Sequence, residues 1–143
     1  MNYGPGLDIG YRWFQANQVA PLFAFGYGLS YTTFKLSSAS LKSATGGVVV
    51  RVNVTNTGSR AGSDAVQAYV QYPSGAGEPP HQLRAFARVA LAAHQTRTIT
   101  LTIARDGFQV FMNNHFVTLA GTYGVDLGSS SSDLPIHLST QFT

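Results

Sequence analysis

Beyond Phe34 the chain alternates apolar and polar positions in short runs broken by turn residues. Val48, Val50, Val52 and Val54 are separated by Val49, Arg51 and Asn53, with Thr55 following. That period of two predicts a strand with one buried face. It stops at Asn56-Thr57-Gly58-Ser59, a turn cluster. A second strand is expected from Ala65 to Tyr72, with Val66, Ala68 and Val70 inward and Gln67 and Gln71 outward. The prolines and glycines of Pro73–Pro80 make a loop. Gln82 to Leu91 reads as a less regular strand. Thr96 to Ile103 alternates most cleanly, with threonines on a solvated face and Ile99, Leu101 and Ile103 on the core side. Short strands are expected at Phe108–Phe111 and His115–Leu119 around an Asn113-Asn114 turn. Tyr123, Val125 and Leu127 mark another, and Ile136, Leu138, Thr140 and Phe142 the last. Seven or eight short strands at this spacing, with no helical stripe, predict an all-β sandwich.

Residues 1–34 follow no such period. Nine of the chain's aromatic residues fall there, and from Pro21 to Phe34 they alternate with aliphatics and glycines. Glycines let the backbone turn where a side chain would clash, and each aromatic carries roughly 150–250 Å² that has to be covered. The segment therefore reads as an arm lying across another surface, and residues 35–143 as the sandwich. Met1-Asn2-Tyr3-Gly4-Pro5-Gly6 begins abruptly in loop-like sequence, as though continuing a longer chain.

Composition narrows the function. Charged residues make up 10% of the chain, below the usual quarter, and small polar residues fill the gap, as in extracellular β modules. The net charge of +3 comes from basic residues spread evenly along the sequence. Nucleic-acid binders concentrate them on one face, so no nucleic-acid partner is expected. No apolar run approaches a membrane span, and the N-terminus lacks a signal-peptide pattern. The absence of cysteine excludes disulfides and thiolate metal sites.

The arm carries the most specific motifs: Gly10-Tyr11-Arg12-Trp13-Phe14, then Pro21-Leu22-Phe23-Ala24-Phe25-Gly26-Tyr27-Gly28-Leu29-Ser30-Tyr31-Thr32-Thr33-Phe34. Val52-Asn53-Val54-Thr55-Asn56-Thr57-Gly58 follows, then Pro79-Pro80 with Leu83 and Phe86, and Gly121-Thr122-Tyr123 before Gly128-Ser129-Ser130-Ser131. In this order they closely resemble the C-terminal part of family 3 glycoside hydrolases, the β-glucosidase and β-xylosidase group. The chain departs from that pattern at Pro5, Gln15, Ala24, Ala93-His94 and Leu119-Ala120. The resemblance implies an Ig-like, fibronectin type III-like sandwich that follows a catalytic barrel and an α/β domain, with the aromatic run as the connecting strap. It implies a secreted or periplasmic setting and partnership with the catalytic domains of a family 3 glycosidase, in cis or in trans.

It also implies that this chain is not itself an enzyme. The family's aspartate nucleophile and glutamate acid/base lie upstream of the matching region. Retaining hydrolysis needs two carboxyls about 5–5.5 Å apart, whereas Asp8, Asp64, Glu78, Asp106, Asp126 and Asp133 are scattered and mostly in turns. His81, His94, His115 and His137 lack the close spacing of metal ligands, so neither metal nor cofactor is expected. No Gly-x-Ser-x-Gly elbow supports a serine nucleophile. Gly26-Tyr27-Gly28 and Gly75-Ala76-Gly77 lack the context of a phosphate loop, and the Asn53-Val54-Thr55 sequon reads as strand composition. Phe23, Phe25, Leu29 and Phe34 are assigned to interdomain packing. Trp13, Tyr11, Tyr27 and Tyr31 could instead stack on sugar rings, which makes a polysaccharide-binding module the alternative. A stand-alone Ig-like interaction domain is the third reading. The apolar arm predicts self-association when nothing covers it.

Overall fold

The computed structural model describes Gly4 and residues 6–143, so Pro5 and the first three residues lie outside it. Seven strands form two antiparallel sheets. Phe34–Ala44 (β1), Gly47–Asn56 (β2) and Thr96–Ala104 (β5) make one sheet in the order β1-β2-β5. Gly62–Gln71 (β3), Gln82–Leu91 (β4), Gly121–Gly128 (β8) and Ile136–Phe142 (β9) make the other, in the order β4-β3-β8-β9. Val110–Met112 (β6) and His115–Val117 (β7) form a separate hairpin. Its Asn113-Asn114 turn has positive φ at both residues, the geometry that a two-residue hairpin requires.

The alternation seen in the sequence places the core. Val48, Val50, Val52 and Val54 on β2 face Val66, Ala68 and Val70 on β3 and Val125 and Leu127 on β8, all fully buried. Leu101 and Ile103 add the β5 contribution. Phe108, Tyr123 and Phe142 close one end in mutual tilted and edge contacts, the geometry that aromatic quadrupoles favour. The Tyr123 hydroxyl ties that corner to the backbone of Leu119.

Two bulges adjust the faces. The β1–β2 register shifts between Ser37 and Ser40, around Ser38 at φ 49°. One inserted residue reverses the alternation, so Leu36 before it and Leu41 after it both reach the core. On β4 the register skips Arg84, pairing Ala85 with Ala68 and Leu83 with Tyr69. Ala85 and Ala87 therefore pack on the core while Leu83 turns to the outer face beside Tyr69. Phe34 packs against this same core. It is the first inward residue of β1 and is partly buried there.

Candidate functional site

The arm covers the outer face of the four-stranded sheet. Tyr11–Ala16 forms a short helix (α1) that the sequence pattern did not predict. It is six residues long with no buried residue and no side-chain cap, so no amphipathic stripe marks it. Tertiary contacts seat it. The Tyr11 ring stacks on Phe25 at 5.1 Å and meets Tyr69 edge-on at 5.7 Å, and its hydroxyl accepts the Leu83 N–H at 2.9 Å. Ser131 donates its N–H to the Phe25 carbonyl at 2.8 Å, and the Gln15 amide donates to the Ser131 carbonyl at 2.9 Å. The side-chain oxygen of Gln15 is buried without a partner.

Gly26 lies directly over Gln67. It holds φ +84°, and a Cβ there would sit 2.1 Å from the Gln67 amide nitrogen, so only glycine fits. Gln67 is consequently buried, contrary to the solvated position its outward alternation implies. Its amide donates to Ser129 O at 2.8 Å and its oxygen accepts from the Tyr69 hydroxyl. Burial raises the Tyr69 pKa, with nearby Tyr11 adding to the effect, so the phenol stays a donor.

The eight arm residues singled out in the sequence thus separate. Tyr11 packs within the chain, its ring on Phe25 and Tyr69 and its hydroxyl on the Leu83 N–H. Phe34 is core. Trp13, in edge contact with Phe14, is partly exposed. Phe25 is half exposed, its inner side on Tyr11. Tyr27 stacks on Phe23 at 5.7 Å and both stay more than half exposed. Leu29 and Tyr31 project almost wholly into solvent at 92% exposure, joined by Leu22 at 91%. Phe86, 70% exposed, is the β4 register partner of the Gln67 beneath Gly26.

The sheet also assembles a cluster that sequence spacing does not reveal. Asp126 on β8 is 2% exposed and accepts from His81 at 2.9 Å, from His137 at 2.7 Å and from the Gln71 amide. Burial pushes its pKa up, but the bonds from His81, His137 and Gln71 outweigh that and hold it below the ordinary carboxyl value. His137 is the β9 register partner of Asp126, so pairing rather than spacing makes the contact. An acid at a sheet position opposite a histidine of the neighbouring strand is the signal that would have found the His137 half of it; His81 comes from the loop before β4. Among the described residues no three histidine, aspartate or glutamate side chains are placed to hold a metal.

This two-sheet architecture with its short end hairpin is a fibronectin type III-like sandwich, and the family model for the fibronectin type III-like domain matches residues 64–131. Beta-glucosidase cel3A of Pyricularia oryzae is 37% identical over 93% of this chain and 22% of its own length. The structure of DesR, a beta-glucosidase from Streptomyces venezuelae in complex with D-glucose, superposes with a TM-score of 0.94 and 36% identity over 99% of this chain and 19% of that one. The Bifidobacterium adolescentis GH3 beta-glucosidase gives a TM-score of 0.93 at 30% identity, over 98% of this chain and 21% of its own. The chain belongs to the C-terminal fibronectin type III-like domains of family 3 glycoside hydrolases. It spans about a fifth of the length of the relatives it matches.

Proposed function

We propose that this chain is a non-catalytic accessory domain that packs through its arm on the catalytic portion of a family 3 glycosidase of β-glucosidase type, in cis. There it stabilises the catalytic domains and helps shape the approach of substrate. The observation that carries this is the arm's two-sidedness. Tyr11, Phe25 and Gly26 hold its inner side to the sheet, while Leu22, Phe23, Leu29 and Tyr31 face outward uncovered. Apolar groups this exposed in a soluble domain mark a docking surface, and the matched relatives carry about four-fifths of their length outside the region shared with this chain. A secreted or periplasmic setting belongs to the same reading.

Leu22→Asp with Leu29→Asp tests it. Both side chains are over nine-tenths exposed, so the 143-residue chain alone keeps its melting temperature. Joined to a family 3 catalytic portion, the same pair lowers the melting temperature and glucosidase activity of the whole enzyme. Unchanged stability and activity in the joined enzyme would refute the docking role. The free chain is expected to self-associate with rising concentration in light scattering, and the double variant to remain monomeric.

A further inference from the structure

A cleft of about 590 Å³ opens between arm residues 26–34 and one end of the four-stranded sheet. Tyr27, Ser30, Asp64, Arg88, Ser129 and Asp133 line it among others. Its charges are unusual in being unspent. Among the described residues, the ion pairs all involve Asp126, and neither the Arg88 guanidinium nor the Asp133 carboxylate has a hydrogen-bond partner. Asp64 accepts from the Ala65 N–H at 2.9 Å and the Ser129 hydroxyl at 3.0 Å, which leaves about half of a carboxylate's four acceptor sites open. The cleft therefore offers guanidinium donors, carboxylate acceptors and hydroxyls that serve as both.

It also offers a positioned ring. Tyr27 donates its N–H to the Ala24 carbonyl at 3.0 Å across a turn whose Gly26 has the positive φ that such a turn needs. The ring rests on Phe23 at an interplanar angle of 28° and is still 55% exposed. Two carboxylates against one guanidinium leave the cleft net negative, which disfavours phosphate or carboxylate ligands. With two carboxylates and no histidine or further acid in the lining, the cleft lacks a cation's ligand set. Mixed donors and acceptors beside an exposed aromatic ring suit a neutral ligand bearing many hydroxyls and an apolar ring face.

We infer that this cleft binds a saccharide, with a pyranose ring against Tyr27 and its hydroxyls between the Asp64 carboxylate and the Arg88 guanidinium. Its size suits a ligand of one to a few rings. The site goes beyond the docking role and does not rest on it, because every group belongs to this chain.

The test is a ¹⁵N-amide NMR titration of the 143-residue chain with D-glucose, cellobiose and laminaribiose. Saturable shifts are expected at Asp64, Ala65, Arg88, Ser129 and Ser130, with a dissociation constant on the order of 1 mM. Arg88→Ala and Tyr27→Ala should each weaken binding about tenfold. Arg88 is exposed and unpartnered, so its variant retains the fold, and its unchanged amide spectrum outside the cleft checks this. No saturable shift with any of the three sugars would overturn the inference. So would shifts centred on Trp13 or Tyr31, or binding that persists unchanged in both variants. Failure of Leu22→Asp and Leu29→Asp to alter the joined enzyme would refute docking and leave this result standing.

Discussion

Replacing Asn56 with alanine should do more damage than any comparable polar change in the chain. Asn56 is fully buried at the end of β2. Its oxygen accepts from the Thr32 hydroxyl at 2.5 Å and the Gly58 N–H at 3.1 Å. Its amide donates to the carbonyls of Arg60 at 2.7 Å, Ala92 at 3.0 Å and Leu91 at 3.3 Å. Two hydrogens shared among three carbonyls make this about four bonds rather than five. One side chain thereby pins the end of the arm, the β2–β3 turn and the β4–β5 turn. At about 1 kcal/mol net per bond, and with part of the orphaned backbone recovering water, the loss is roughly 3 kcal/mol. In a domain of this size that lowers the melting temperature by about 10 °C. Urea and thermal unfolding followed by far-UV circular dichroism measure it directly. Asn53→Ala is the control, since Asn53 makes one exposed bond to Thr98 and should cost below about 0.5 kcal/mol. If Asn56→Ala cost under about 1 kcal/mol, or matched Asn53→Ala, the hub argument would be wrong.

Gly26→Ala should loosen the arm while sparing the sandwich. It forces a Cβ into a left-handed residue and against Gln67, at a cost of about 1–3 kcal/mol, so limited proteolysis should cut the arm faster with the strand core intact. Asp126 supplies a pH dependence of definite sign. Its folded pKa lies below the ordinary value of 3.8, so the stability it contributes is present above that value and is lost as pH falls through the folded pKa. The stability difference between the parent chain and Asp126→Asn, from urea unfolding, should therefore be largest near neutrality and shrink in acid. A difference that grows on acidification would contradict the cluster's assignment.

The strands with a regular period of two are legible in the sequence itself. β2, β5 from Ile99 and, but for Thr140, β9 carry apolar residues at every second position and appear where that pattern places them. The turn at Asn113-Asn114 was equally plain, because asparagine tolerates positive φ. β1 was not, because the bulge at Ser37–Ser40 breaks its period while keeping both halves on the core. Local sequence cannot distinguish a bulged strand from a loop; only the register against β2 does. The irregularity of β4 has the same cause, the skipped Arg84.

For the candidate site the division is different. Gly26, Gly28 and the aromatics between Tyr11 and Tyr31 marked an arm, since that composition must be covered by something. Which side each ring faces was decided in three dimensions: Tyr11 inward on Tyr69, Tyr27 at a cleft, Leu29 outward. Gln67 was polar and correctly on the outer face, yet buried, because burial there depends on what lies across the sheet.

The chain's own alternation thus determined a β-sandwich and which residues fill it, because a period of two and hydrophobic burial are properties of neighbouring residues. Its arm motif also carried the family resemblance. The seating of the arm, the His81–Asp126–His137 cluster and the cleft of Asp64 and Arg88 were decided only by tertiary structure. Each joins residues far apart in the chain, and no local preference encodes which strands become neighbours.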